Sequence, residues 1–256
     1  VSNATIIAVC GKGGVGKTSF SAMMVRQLAA QNNRKILAID ADPAVGLATA
    51  LGMQVHKTVD DIRQDIIKRI QKGEAKAGVE MSKQMDYEIF EALEQKDGVA
   101  LLAIGRPEDE GCFCKVNNLL KDIIHDLAEK FDIVLIDGEA GIEQINRRVM
   151  KKVDHLILVS DTSAKAVNVT STIAHVANDK KAVDFKSMGL VLNRVRSESE
   201  VEDIKKRTKL EVYGWMKDDD MIRDYDFRGQ PLTTMPETSA NLKVVTSILD
   251  RMHIES

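Results

Sequence analysis

Residues 11–18, Gly11-Lys12-Gly13-Gly14-Val15-Gly16-Lys17-Thr18, constrain the fold more than any other stretch of this chain. They fit the pattern G-x-x-x-x-G-K-[ST], whose glycines let consecutive backbone N–H groups turn inward on an anion without β-carbon clashes. The pattern works between a strand and a helix, and both are legible. Residues 5–10 form a short apolar, β-branched run of the buried-strand kind. Residues 19–31 carry Phe20, Met23, Met24, Leu28 and Ala29 at helical spacing. The positive end of that helix's dipole points at the loop. Lys17 is then set to reach β- and γ-phosphates, and Thr18 to place its hydroxyl on Mg²⁺. Gly11 to Thr18, with Ser19 behind them, form the expected nucleotide-binding set.

An opening strand–loop–helix implies α/β layering, and the rest of the chain repeats the unit. Residues 35–40, 99–104, 131–137, 155–159 and 189–193 read as further strands, with 212–216 as a seventh. Helical periodicity covers 59–70, 87–93, 119–127, 164–177, 198–208 and 240–252. Asn117 or Asn118 would cap the helix over 119–127. Residues 73–84 are polar and weakly patterned, the segment expected to be mobile, and 105–115 read as an irregular loop. The alternation predicts a doubly wound, mainly parallel sheet flanked by helices, with ligand-binding loops along its carboxyl edge. A chain of 256 residues, 44% apolar and 29% charged, suits one domain over 5–254. Residues 1–4 resemble a remnant of recombinant expression and are left out of the fold.

The net charge of −3 and an aromatic content of 4% argue against an electrostatic nucleic-acid footprint or a base-stacking surface. No apolar run approaches the roughly 20 residues that span a bilayer, and the last helix is not a basic amphipathic anchor. The expectation is a cytoplasmic protein without nucleic-acid or membrane partners. Its three cysteines are then thiols or metal ligands rather than a disulfide framework.

Three carboxylates follow predicted strands. Asp137 ends the run Leu135-Ile136-Asp137-Gly138, where a carboxylate can hold magnesium through water, or simply end a strand in a turn. Asp40 and Asp42 precede Pro43; ordinary turn chemistry suits them too. Asp42 is the candidate for orienting a water towards the γ-phosphate, and Asp40 for a share in magnesium coordination.

Lys12 departs from an ordinary phosphate loop. The 11–18 segment resembles the deviant Walker A loop of the dimeric P-loop ATPases grouped as MinD, ParA and nitrogenase iron protein. Asp40-x-Asp42-Pro43 and Asp137-Gly138-x-Ala140-Gly141 resemble that group's two switch segments. The resemblance implies that ATP closes a homodimer in which Lys12 reaches the partner's phosphates, with Lys12, Lys17 and Asp42 as the catalytic set. It also implies that Asn193 contacts adenine, and that the loop around Pro236 flanks the base.

Cys112 and Cys114 set the chain apart from a generic member. In an extended segment they face the same side, whereas on a helix they would lie about 200° apart. Lys115 and the following helix N-terminus favour thiolates. Two thiolates are half a tetrahedral sulfur site, and a twofold dimer would supply the rest for Zn²⁺ or Ni²⁺. Two cysteines also suit buried thiols or a redox pair. Cys10 reads as a small core residue. The Cys-x-Cys and the run Asp137-Gly138-x-Ala140-Gly141-Ile142-Glu143 are similar to CooC-type ATPases, which assist nickel insertion into carbon monoxide dehydrogenase. That similarity implies a dimer promoted by ATP and metal, its cysteine pairs meeting at the twofold axis. Alternative readings are a positioning ATPase that binds DNA or membrane, and an iron–sulfur electron donor.

Overall fold

The computed structural model describes residues 4–31, 34–73, 79–106, 114–138, 149, 152–179 and 184–254. Its strands are β1 (Thr5–Cys10), β2 (Ile36–Asp40), β3 (Glu94–Lys96), β4 (Val99–Ala103), β5 (Ile133–Asp137), β6 (Lys152–Asp161), β7 (Asp184–Val195) and β8 (Val212–Lys217). They form one sheet in the order β3-β4-β2-β5-β1-β6-β7-β8. All neighbouring pairs are parallel except β3 with β4. The helices are α1 (Lys17–Ala29), α2 (Gly46–Leu51), α3 (Val59–Gln71), α4 (Val79–Glu91), α5 (Cys114–Ala128), α6 (Ala164–Asp179), α7 (Glu198–Thr208), α8 (Asp220–Phe227) and α9 (Ala240–Arg251).

Strands β2, β4 and β5 are buried from end to end. Helices cover both faces, so apolar runs replace the alternation of a half-wet sheet. The pleat still sorts the residues. Ile7 and Val9 of β1 join the core beneath α1, α2 and α9, while Ala8 and Cys10 join the core beneath α3 to α7. On α1, Phe20, Met23, Met24 and Leu28 are almost wholly buried, and each contributes roughly 1.5–3 kcal/mol. Helix α3 opens on a reciprocal cap: Asp61 N–H donates to Thr58 Oγ1 (3.1 Å) and Thr58 N–H to Asp61 Oδ2 (2.8 Å).

The seven expected strands are present, and the structure adds β3, an antiparallel edge strand. Asp97 (φ +50°) and Gly98 (φ +79°) supply the left-handed pair that a two-residue hairpin turn needs. The polar segment expected to be mobile contains the start of α4, whose Met81, Met85 and Ile89 are buried one turn apart. Asn117 and Asn118 do not cap α5, which begins three residues earlier. Asn117 instead accepts a hydrogen bond from Arg63 Nε at 2.7 Å. Ala4, set aside with the terminus, is buried in the core beneath α3 to α7. Among the described residues no helix is long and apolar enough to cross a membrane.

Candidate functional site

The 11–18 loop joins β1 to α1 at the carboxyl edge of the sheet. Its glycines are demanded by close approach as much as by conformation. A β-carbon on Gly11 would run into the carbonyl oxygen of Val159 on β6. Gly16, the N-cap of α1 at φ +94°, would drive one into the amide of Asn193 on β7. The loop is thus seated on two adjacent strands, with Gly13 and Gly14 left exposed. Lys17 is 6% exposed, and its Nζ lies 3.3 Å from the Lys12 carbonyl oxygen. Lys12 is half-buried, with its Nζ 3.4 Å from the Gly13 carbonyl. Both ammonium groups therefore rest on the loop's own backbone, where an anion would compete for them.

Asp137 and Asp40 are register partners at the ends of β5 and β2, and both are sealed from solvent. The Ser21 hydroxyl on α1 donates to Asp137 Oδ1 at 2.9 Å, while Oδ2 is buried without a hydrogen-bond partner. Burial pushes this carboxyl up to about 6, against the pull of the Thr18 and Ser21 hydroxyls and of Lys17. An orphaned carboxylate oxygen beside the Thr18 hydroxyl is the donor set a magnesium ion takes. Asp40 behaves differently. Leu47 N–H donates to its Oδ2 (2.8 Å) and Asp42 N–H to its Oδ1 (3.2 Å), so it ties α2 and the preceding turn to β2. Burial, reinforced by the charge of Asp137, pushes it up to about 7.

Asp42 is half-buried, and its Oδ1 accepts from Ala44 N–H at 2.9 Å, shaping the turn that leads to α2. Val45, at φ +50°, completes that turn, and a β-carbon on Gly46 at the start of α2 would meet the Thr18 methyl group at 3.6 Å. The segment that follows β2 therefore runs beside the Thr18 side chain. Asn193, at the carboxyl end of β7, donates from Nδ2 to the Val15 carbonyl (2.8 Å) and accepts at Oδ1 from Arg194 N–H (2.9 Å). Pro236 is exposed, past a 3₁₀ turn at Leu232–Thr234 that packs against α1 and α2.

Cys10 is fully buried, and burial pushes its thiol up to about 12. It is a core residue, as expected. Cys112 lies outside the described residues; Cys114 opens α5, and its side chain lies outside them too. The 140–143 run is likewise outside. Among the described residues no three His, Cys, Asp or Glu side chains gather as a metal-binding group. Ser21 was not anticipated. It falls one turn after Lys17 on the same face of α1, and that spacing was the available signal.

A family model described as the CobQ/CobB/MinD/ParA nucleotide binding domain matches residues 6–232. An uncharacterized ATP-binding protein of Methanocaldococcus jannaschii is 38% identical over 249 residues, 96% of this chain and 98% of the relative. The carbon monoxide dehydrogenase accessory protein CooC of Rhodospirillum rubrum is 28% identical over 235 residues, 87% of each chain. Among solved structures, the septum site-determining protein MinD complexed with Mg-ADP from Pyrococcus horikoshii superposes with a TM-score of 0.71 at 23% identity, covering 97% of this chain and 95% of that one. The loop seated on β6 and β7, the paired strand-end aspartates and the match over 6–232 lead to one conclusion: this chain is a member of the CobQ/CobB/MinD/ParA nucleotide-binding family.

Proposed function

We propose that the chain is a magnesium-dependent ATPase that dimerises on ATP and carries Ni²⁺ or Zn²⁺ on Cys112 and Cys114, delivering nickel to carbon monoxide dehydrogenase. One observation carries the nucleotide half: the buried, unpartnered Asp137 Oδ2 facing the loop that bears Lys17 and Thr18. Thr18 and Asp137, with Asp40 at the adjacent strand end, are the residues to hold magnesium. Held there, magnesium would supply positive charge against the negative charge that develops during phosphoryl transfer. Lys17 leaves the Lys12 carbonyl for the β- and γ-phosphates. Asp42 orients the attacking water, and Lys12 reaches the partner's phosphates.

The cargo half rests on the Cys-x-Cys and on the likeness to the Rhodospirillum CooC protein, whose name states its accessory role for carbon monoxide dehydrogenase. Two copies would offer four thiolates, enough for one tetrahedral ion. Equilibrium dialysis against Ni²⁺ and Zn²⁺, with and without Mg-ATP, combined with native mass measurement, tests both halves. Wild type is expected to hold about one ion per dimer, and a Cys112→Ser/Cys114→Ser variant none. Lys12→Ala should bind ATP yet neither close the dimer nor hydrolyse. Unchanged metal content in the serine variant would remove the cargo role and leave the ATPase.

A further inference from the structure

We propose that a cleft at the amino edge of the sheet, opposite the edge that carries the phosphate loop, is a second binding site. Its ligand is a small organic anion, a carboxylate on an alkyl or aryl body. The site stands apart from the nucleotide and cargo readings above.

The cleft opens where β2, β4 and β5 begin, between the end of α4, the β3–β4 hairpin and the turn that follows α5. Its volume is about 540 Å³, within the roughly 300–1,000 Å³ of small-molecule sites. Phe90, Leu93 and Phe131 supply apolar wall. Leu93 and Phe131 lean on the core beneath α3 to α7, but Phe90 is 57% exposed. Tyr87, one turn earlier on α4, is 63% exposed and lines an adjoining cavity of about 210 Å³. In a chain with an aromatic content of 4%, three aromatic side chains thus gather at one surface. Aromatic surface left in water beside a concavity marks a ligand site.

Charge then selects the ligand. Lys35, Lys96 and Lys130 line the cleft, and Asp97 is the one acid among the described residues that do so. Among the described residues no carboxylate lies within ion-pair distance of the Lys35 or Lys130 ammonium group. Lys96 Nζ donates to the Gly52 carbonyl at 3.0 Å and keeps two N–H donors to offer. The adjoining cavity adds Lys83 and Asp86, which offset one another. The frame is fixed in advance: Lys35 N–H donates to Asp132 Oδ2 at 2.7 Å, and Asp132 N–H to the Lys35 carbonyl at 2.9 Å. Lys35 and Phe131 are therefore held together before anything binds. An anionic head gains charge-assisted hydrogen bonds from the lysines, while its apolar body covers Phe90 and Phe131. An inorganic anion would leave the rings in water, and an organic cation would be repelled.

Octanoate is the probe, with octylamine as its cationic counterpart. Both are titrated calorimetrically into the full chain and into Lys35→Gln, Lys130→Gln and Phe90→Ser. Octanoate should bind at one site and octylamine should not. Each variant should lose roughly tenfold in octanoate affinity, the scale of one hydrogen bond to a charged group or one aromatic contact. All three side chains are exposed, so melting temperatures should stay at the wild-type value. Mg-ADP should leave octanoate binding unchanged, because the phosphate loop lies at the other edge of the sheet. Octylamine bound as tightly as octanoate, no octanoate binding at millimolar concentration, or wild-type affinity in all three variants would each overturn the proposal. Competition by Mg-ADP would also overturn it, moving the octanoate to the phosphate loop. Sedimentation supplies the last outcome: self-association that Phe90→Ser abolishes and octanoate leaves intact would give this face to a second copy of the chain and overturn the site.

Discussion

Asp40 and Asp137 end neighbouring strands at the same level, point to the same side of the sheet and are equally cut off from water, yet their surroundings differ. Both oxygens of Asp40 receive backbone N–H groups, so this carboxylate holds a turn and the start of α2. Asp137 has only side-chain hydroxyls near it, those of Ser21 and Thr18, and its Oδ2 is buried without a hydrogen-bond partner. Position alone does not separate a carboxylate that organises backbone from one with coordination capacity to spare. Saturation of its lone pairs does.

The largest effect that would break this contrast lies in catalysis. Asp137→Asn should lower magnesium-dependent phosphate release on the order of a hundredfold, as loss of one preorganised electrostatic group does. Asp40→Asn should cost less activity and more fold. Its amide can still accept one of the two N–H bonds but presents a donor to the other, at about 1–3 kcal/mol of stability. Urea titration measures that loss; equal losses of turnover in the two variants would erase the distinction drawn here.

The smallest effect is a pH slope in the nucleotide-free, metal-free protein. Both carboxyls sit above the ordinary value of 3.8, Asp40 at about 7 and Asp137 at about 6. Between about pH 4 and 7 the folded chain therefore holds more protons than the unfolded chain at these positions. Their contribution is fully present below the unfolded value and is lost as pH rises through 6 and 7. Asp137→Asn, neutral at every pH and without the repulsion between the pair, should gain thermal stability relative to wild type from pH 5 to pH 8. A constant gap in melting temperature would show that the pair does not share this burden.

Much of this was legible in the chain. The loop, its flanking strand and helix, and the aspartates at strand ends follow from apolar runs bounded by glycine and proline. What escaped had weak local signals or distant partners. Strand β3 is three polar residues, and only the Asp97-Gly98 pair announced the hairpin. Helix α2 is six residues long and has no side-chain cap. The start of α4 was hidden by polar neighbours, although Met81, Met85 and Ile89 keep helical spacing. Asn193 could be placed at the end of a strand, but its bond to Val15 spans 178 residues. No local pattern encodes a contact of that range.

The sealed Cys10 simplifies the chain's sulfur chemistry. A thiol pushed up to about 12 and shut away from solvent is inert to alkylating reagents at neutral pH. Of the three cysteines in the sequence, one is thus silent while the protein is folded. Any thiolate that the native chain shows to maleimide or iodoacetamide belongs to Cys112 or Cys114, so a simple labelling stoichiometry reads that pair without first removing the third.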